Sequence, residues 1–216
     1  MGRKKLKHLG KRKKIKKSIK MYIGKIGITI GIVVSIGALF NITNYIEDIN
    51  EAKDIQLEES KKDFIVEIEK GAKKSYRKYG IFPSITIAQA ILESGWGESE
   101  LTKDSNNLFG IKADESWNGQ TIEVITSENY NDKVKAKFRK YKDMNESIED
   151  HAKFLVENKR YEEHGVFNAK NYKQQAIALQ DAGYATKKNQ KGEAIYAQML
   201  INIIENYSLQ LLDSKL

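Results

Sequence analysis

A run of 21 uncharged residues, 26–46, constrains this chain more than any other feature of its sequence. At ~1.5 Å of rise per residue, a helix of this length crosses a hydrocarbon core of about 30 Å. Twelve Lys and Arg residues and no acidic residue lie before it in residues 1–25, and Glu47 and Asp48 follow it. Because basic flanks stay in the cytoplasm, the pattern predicts a single-pass signal-anchor helix with the following domain outside the cell.

Two alternatives to an anchor remain open from the sequence. Residues 35–37, Ser-Ile-Gly, have the small-residue pattern of a signal-peptide cleavage site, and cleavage there would release a secreted protein. A buried core helix is the other alternative. The basic tail, residues 1–25, favours contact with anionic membrane lipid. Residues 47–63 are mostly charged, which is typical of a helical stalk or of an unstructured linker.

The charge of the remaining residues limits the kind of partner. The whole chain has 37 basic and 29 acidic residues, and 12 of the basic ones lie in the tail, so the rest carries a small negative excess. Phosphate binding needs a basic surface, so we expect no nucleic acid on the folded domain. The chain has no cysteine, which excludes disulfides and thiolate metal sites.

Apolar spacing predicts that the folded part is mainly α-helical. From Phe64 apolar residues recur at intervals of three and four, and Gly80 ends this first helix. Pro83 opens the second helix, with Ser84 as its expected cap. Residues 147–150 resemble a capping box. Further helices are predicted over residues 171–181 and at the end of the chain, where the helical spacing is carried by Ile195, Met199, Ile203 and Tyr207.

One segment has the period of a strand instead. Residues 101–120 contain several Asn and Gly residues and are predicted to form a loop. Residues 121–126 and 133–138 then alternate between apolar and polar, with turn residues 129–132 between them. We therefore expect a small β-hairpin inserted into a helical domain.

Several motifs follow one another in an order that resembles the bacterial glucosaminidase family of peptidoglycan hydrolases. The strongest is GIFPSITIAQAILESGWGES at residues 80–99. The others are NNLFGIK (106–112), Thr126-Ser127-Glu128, FRKY (138–141), Asn145 to His151, Tyr161, AGYAT (182–186) and Ile195-Tyr196-Ala197. Where the family usually continues with Asp-Pro, this chain has Lys187-Lys188 and a longer polar loop.

The resemblance implies a lysozyme-like (α+β) domain over residues 64–216 that is mainly helical, with a small hairpin lobe. It implies an endo-β-N-acetylglucosaminidase that cleaves β-1,4 bonds of peptidoglycan glycan strands. An N-acetylmuramidase, which cuts the alternate bond of the same strand, is the alternative enzyme. A non-catalytic peptidoglycan-binding module is the alternative outside enzyme chemistry, and an interaction protein acting through its basic tail is a further one.

Glu93 is the expected general acid. It follows the apolar pair Ile91-Leu92 in the last helical turn before a glycine-rich break, where partial burial would raise the pKa of its carboxyl group. Glycosidic cleavage needs such a proton donor. Glu128, at the tip of the hairpin, is the candidate second carboxylate, and Glu123 is a weaker rival. A third possibility is attack by the 2-acetamido group of the substrate.

The matched motifs also supply candidates for sugar binding. Flat rings suit the faces of pyranoses, and an amide can hydrogen-bond an acetamido group, although each such residue has core packing or turn capping as its alternative. The candidates are Trp96, Asn107, Phe109, Tyr141 and Tyr184, with Tyr161 weaker. His8, His151 and His164 have no metal-ligand spacing, so we expect no metal and no cofactor.

Overall fold

The computed structural model describes residues 47, 49–51, 53–128 and 132–215. The chain divides into two compact units, Met1–Glu59 and Ser60–Leu216. The described residues of the first unit are helical. No helix within these described ranges has both the length and the apolar character that crossing a membrane requires. The predicted anchor at residues 26–46 and the basic tail lie outside the described residues, so both stay predictions.

The second unit is mainly helical with one two-stranded antiparallel sheet, as the sequence predicts. It begins with a helix over residues 60–79, here called α1. The other elements are α2 (Pro83–Ser94), α3 (Glu100–Ser105), β1 (Thr121–Glu128), β2 (Asp132–Arg139), α4 (Met144–Glu157), α5 (Lys159–Glu163), a 3-10 turn (Val166–Asn168), α6 (Tyr172–Asp181), α7 (Tyr196–Asn206) and a final 3-10 segment (Leu209–Lys215).

Helix α2 forms the centre of the domain. Its residues from Pro83 to Ile91 are all buried, and it contacts α6, α7 and the final 3-10 segment. The predicted cap Ser84 is wrong, because its side chain does not cap the helix. Asp213 instead accepts hydrogen bonds from the Ser84 backbone N–H, at 3.0 Å, and from its hydroxyl, at 2.6 Å. A carboxylate from the other end of the sequence therefore satisfies the N-terminus of α2.

The predicted capping box of α4 is also displaced. The helix begins four residues earlier than residues 147–150 suggest, with Asp143 accepting from the Glu146 backbone N–H at 2.8 Å. Glu146 in turn accepts from the backbone N–H of Lys142. Ser147 is buried inside the helix, where its hydroxyl oxygen accepts a hydrogen bond from the Leu108 N–H at 3.1 Å.

The hairpin is confirmed, with both strands longer than predicted. Thr121 pairs with Arg139 at its base and Glu128 with Asp132 at its outer end. The base is held by the preceding loop, since the Arg139 N–H donates to Ile111 and the Ala113 N–H donates to the Lys137 carbonyl. That loop is not wholly irregular, because Ser99 caps the short helix α3 within it.

Helix α7 contacts both α2 and α6, and its fully buried residues are displaced by one position from those that carry the predicted spacing. Ile195, Met199, Ile203 and Tyr207 are only partly buried. The neighbouring stripe is the fully buried one, and it consists of Tyr196, Ala197, Leu200 and Ile204. This one-residue shift turns Tyr196 towards α2.

Candidate active site

Glu93 occupies an unusual place on a buried helix. Of the 12 residues in α2, Glu93 alone is exposed. The residues from Pro83 to Ile91 are held in the core and Leu92 is partly buried, so the helix presents a single carboxyl group at the surface in its last turn. A carboxyl group with open space on one side and the core on the other is accessible to a substrate and still partly desolvated.

The chain reverses direction immediately after Glu93. Gly95, Trp96 and Gly97 all have left-handed backbone conformations, with φ of 59°, 64° and 79°. Ser94 stabilises the turn by accepting the Gly97 N–H at 2.7 Å. Glycine is required at residue 97, since a Cβ there would lie 2.9 Å from the Phe64 ring.

This turn directs Trp96 into the framework of the domain. Its indole lies edge-on to Tyr207, with ring centroids 4.7 Å apart, and edge-on to Phe64 at 6.1 Å. The geometry therefore favours the packing alternative for Trp96, and its predicted role in sugar binding has no support from these contacts.

Two tyrosines form a layer behind Glu93. The Tyr196 hydroxyl donates to Oε1 of Glu93 at 3.1 Å, and Nε2 of Gln89 donates to the Tyr196 oxygen at 3.0 Å. The Tyr184 ring stacks on Tyr196, with centroids 5.3 Å apart. We call Tyr184 and Tyr196 the tyrosine layer. Because Oε1 accepts this hydrogen bond, Oε2 is the oxygen more available to carry the acid proton.

The surroundings shift the pKa of Glu93 in opposite directions. Burial against the core raises the pKa and is the largest influence, whereas the Tyr196 hydrogen bond and the charge of Lys187 lower it. The net effect is upward, which keeps a larger fraction protonated near neutral pH. When the proton leaves, the same hydroxyl and cation stabilise the carboxylate that forms.

A second row of rings supports the tyrosine layer. The Tyr184 hydroxyl lies 3.2 Å from Nε2 of His151, and Phe109 stacks on the His151 ring at 3.9 Å. Burial lowers the pKa of His151 to about 3, so the ring is neutral at physiological pH. Tyr184 is half-buried and Phe109 is nearly fully buried. Of the predicted sugar-binding residues, Tyr184 is therefore the one whose contacts place it beside Glu93.

The other candidates belong to the base of the hairpin. Asn107 is buried, and its amide donates to the carbonyls of Ile111 and Arg139 and accepts the Ile111 N–H, all within 3.0 Å. Tyr141 is buried and donates to Asp150 at 2.7 Å. We call Asn107, Arg139, Tyr141 and Asp150 the framework cluster. These contacts favour a structural role for Asn107 and Tyr141, and the same holds for Tyr161, which is fully buried and accepts from Arg160.

The candidate second carboxylates both lie on β1. Glu128 is the last residue of this strand, and its side chain is outside the described part of the structure. Glu123 is exposed and lies opposite Lys137 in the register. The catalytic roles of both residues stay predictions.

Sequence reasoning missed three residues that surround the acid. Tyr196 was read only as part of a closing helix, although it lies in a matched motif. Gln89 lies one helical turn before Glu93, and that spacing could have identified it. Lys187 was noted only as a departure from the family pattern.

A cavity of about 510 Å³ lies elsewhere in the described part of the chain. It is bounded by α1, α4 and Trp117, and its α4 residues, such as Glu146, Glu149 and Lys153, lie on the side of the helix opposite His151. We therefore place the chemistry at Glu93 rather than in this cavity. The described residues contain no group of three or more acidic, His or Cys side chains arranged to hold a metal ion.

The chain is similar to known glycan hydrolases over most of its length. The family model described as mannosyl-glycoprotein endo-beta-N-acetylglucosaminidase matches residues 69–209. The exo-glucosaminidase LytG of Bacillus subtilis is 40% identical over 206 residues, which are 92% of this chain and 68% of LytG. A probable N-acetylmuramidase of Lactococcus lactis is 34% identical and covers 69% of this chain.

A solved structure is similar over the same region. The glycoside hydrolase domain of FlgJ from Salmonella typhimurium is 37% identical, with a TM-score of 0.57, covering 69% of this chain and 89% of that domain. The chain spans about half of the whole FlgJ protein, at 49%, and about a third of the Lactococcus lactis protein, at 34%. The similarity thus extends over the second compact unit, including α2 and the tyrosine layer.

Proposed function

The chain belongs to the glucosaminidase family of glycoside hydrolases, and we propose that it cleaves β-1,4 bonds within the glycan strands of peptidoglycan. The observation that carries this proposal is the state of Glu93. It is the one exposed residue of a buried helix, its pKa is raised by burial, and a tyrosine holds one of its two oxygens. A non-catalytic wall-binding module would have no use for an acid in this environment.

In the proposed reaction, Glu93 donates the proton on Oε2 to the glycosidic oxygen while the bond to the anomeric carbon breaks. Positive charge develops on the sugar ring as an oxocarbenium-like transition state. The hydrogen bond from Tyr196 stabilises the carboxylate that Glu93 becomes, and Tyr184 is half-buried with its ring stacked on Tyr196. General acid catalysis of this kind contributes about 10²- to 10⁴-fold to the rate.

The group that completes the reaction is the second part of the proposal. Glu128 is our first choice as the base for an attacking water or as the stabiliser of positive charge, with Glu123 as the rival. The 2-acetamido group of the substrate is the alternative that needs neither residue.

Bond choice and mode of attack form the finer proposal. We favour the bond on the reducing side of N-acetylglucosamine, cut within the strand, over the N-acetylmuramidase bond. The names of the relatives support both bonds, since one is an exo-glucosaminidase and another a probable N-acetylmuramidase.

We further propose that residues 26–46 anchor the enzyme in the cell membrane, with the basic tail inside and the catalytic domain outside. The uncharged run and the charges on either side of it support this arrangement. Fractionation with protease protection tests it, because an anchored chain stays with the membrane and loses only its external domain. Release into the medium with a new N-terminus near Gly37 would replace the anchor with a cleaved signal peptide.

The activity is tested by digesting purified peptidoglycan with the full chain in mild detergent, comparing wild type with Glu93→Gln. Mass spectrometry after borohydride reduction identifies the new reducing ends. We expect reduced N-acetylglucosamine ends from wild type and a loss of about 10³-fold in Glu93→Gln. Glu157→Gln is the matched control, because it makes the same substitution at an exposed glutamate of α4.

Each other result changes the proposal in a defined way. Reduced muramic ends would keep Glu93 as the acid and change the bond. A folded wild type that binds the wall and cuts nothing would replace the enzyme with a binding module. Glu128→Gln and Glu123→Gln, assayed alongside, distinguish the two carboxylates, and full activity in both would leave the substrate acetamido group as the remaining nucleophile.

A further inference from the structure

The segment between the two residues of the tyrosine layer forms an ordered loop, residues 187–195. Lys188 and Ala194 form an isolated antiparallel bridge, and the Ile195 N–H donates to the Lys187 carbonyl at 3.3 Å. Asn189 closes the loop, because its side-chain oxygen accepts the backbone N–H groups of Lys191 and Glu193, both at 2.9 Å. The departure from the family pattern is therefore a small structured element.

This loop holds the Lys187 backbone against the start of α7, next to Tyr196. Lys187 follows Tyr184 by three residues, and its carbonyl is bonded to the residue that precedes Tyr196. Both tyrosines are fixed beside Glu93 by stacking and by the 3.1 Å hydrogen bond. Lys187 is exposed, and no carboxylate of the described residues lies within ion-pair distance of its ammonium group.

The charge of Lys187 reaches Glu93. It contributes to lowering the pKa of the acid, against the larger upward effect of burial. A cation that has no carboxylate partner in the described part of the chain, and that is open to solvent with its charge acting on the acid, is available to an anionic group on a bound ligand.

The chemistry of the substrate places such a group next to the leaving oxygen. The oxygen that Glu93 protonates is O4 of the sugar on the reducing side of the cleaved bond. If that sugar is N-acetylmuramic acid, its neighbouring O3 carries a lactyl ether that ends in a carboxyl group. If it is N-acetylglucosamine, O3 carries only a hydroxyl. The two bonds of the strand therefore differ at the position closest to the acid.

We propose that Lys187 binds the lactyl group of the muramic residue whose O4 is the leaving oxygen, and so selects the glucosaminidase bond. On strands without peptide stems it forms an ion pair with the free lactyl carboxylate. On intact strands the same ammonium donates to the lactyl amide carbonyl, which is a weaker interaction. This inference rests on the proposed function and names the group on the substrate that determines bond choice.

The test compares Lys187→Gln with wild type, both as full chains, on two soluble glycan strands. One has its stems removed and carries free lactyl carboxylates, and the other is the same strand with those carboxylates converted to neutral methylamides. On the first, we expect Lys187→Gln to lose about tenfold in kcat/KM, as for one charge-assisted hydrogen bond. On the second strand, the influence of Lys187 on Glu93 remains but the ion pair with the substrate is absent, so the loss in Lys187→Gln should be several-fold smaller than on the first. Lys188→Gln, an exposed neighbour in the same loop, is the control and should match wild type on both strands.

The outcomes separate this inference from the function on which it rests. If wild type cuts neither strand, the proposed function fails. If Lys187→Gln cuts both strands like wild type, or loses activity equally on both, Lys187 does not bind the lactyl group and the inference alone is overturned. A rise in muramic reducing ends from Lys187→Gln on the carboxylate strand would support the selection of the bond directly.

Discussion

The tyrosine layer and the framework cluster come from the same set of motifs and each contains a buried tyrosine, but the two regions differ in what their polar atoms contact. In the framework cluster, Asn107 and Tyr141 are buried and their hydrogen bonds go to other protein groups. Beside the tyrosine layer, Glu93 is exposed, and within the layer Tyr184 is half-buried, whereas Tyr196 is buried like the framework cluster. Remaining exposure and hydrogen-bonding capacity distinguish the site from its support more clearly than membership of a motif.

Among the substitutions that test this difference, Asn107→Ala should have the largest effect, and the effect should be on stability. The substitution leaves three buried backbone groups without their partner, so we expect a loss of about 3 kcal/mol or more in the free energy of unfolding, measured by urea titration. Asn118→Ala, at an exposed loop position, should change stability by less than about 0.5 kcal/mol. A stable Asn107→Ala protein with a raised KM would instead move Asn107 into the substrate site.

Tyr141→Phe should have a smaller effect of the same kind. It removes one hydrogen bond to Asp150, which keeps its ion pair with Arg139 at 2.9 Å. We expect a loss of about 1 to 2 kcal/mol in stability and an unchanged kcat/KM for the folded enzyme. A large fall in kcat/KM at unchanged stability would contradict the structural assignment of Tyr141.

Tyr196→Phe tests the tyrosine layer, and we expect it to change the pH dependence of kcat/KM. The lost hydrogen bond lowers the pKa of Glu93 in the wild type, so its removal lets burial raise that pKa further. Because the acid must be protonated, activity in the variant should persist to higher pH, seen as a shift of the basic limb of kcat/KM. Tyr172→Phe, which loses a surface hydrogen bond to Glu205, serves as the control. If the basic limb of the kcat/KM profile stayed in place or moved to lower pH, the hydrogen bond from Tyr196 would not be what lowers the pKa of Glu93.

The smallest expected effect is on the stability of Glu93→Gln. The folded pKa of Glu93 lies above its unfolded value, so the stability that the protonated form contributes is present at low pH and is lost as pH rises through the folded pKa. Glutamine stays neutral throughout. The inactive variant should therefore match wild type in acid and become slightly more stable than wild type above that pKa, measured by thermal unfolding across pH. A variant that is less stable at high pH would mean that the carboxylate is favoured by its surroundings.

The sequence predicted those features that depend on local periodicity. The hairpin alternates along its strands, and α6 begins at Tyr172, with Asn171 as its cap, close to the predicted start. The caps of α2 and α4 were wrong for different reasons. At α2 the partner, Asp213, lies 129 positions away and is invisible to any local pattern. At α4 a stronger local pair, Asp143 and Glu146, competes with the Ser147 motif.

Some site residues could likewise be predicted from the sequence, whereas others depend on the packing of distant segments. Glu93 was predictable because the family resemblance and the position beside the core agree. The roles of Trp96 and Tyr196 depend on the left-handed turn after α2 and on a one-residue rotation of α7, and neither follows from spacing alone. Both residues lie in matched motifs, but only Trp96 was predicted as a site residue, and packing places Tyr196 rather than Trp96 in contact with the acid.

The contact between Asp213 and Ser84 also has a consequence for the order in which a nascent chain matures. The helix that carries the acid is synthesised more than a hundred residues before the carboxylate that satisfies its first turn. Tyr196, which holds the acid, also emerges late. Contacts of such sequence separation form slowly and only after both partners exist. A ribosome-bound fragment therefore contains Glu93 long before it can hold that residue in working geometry.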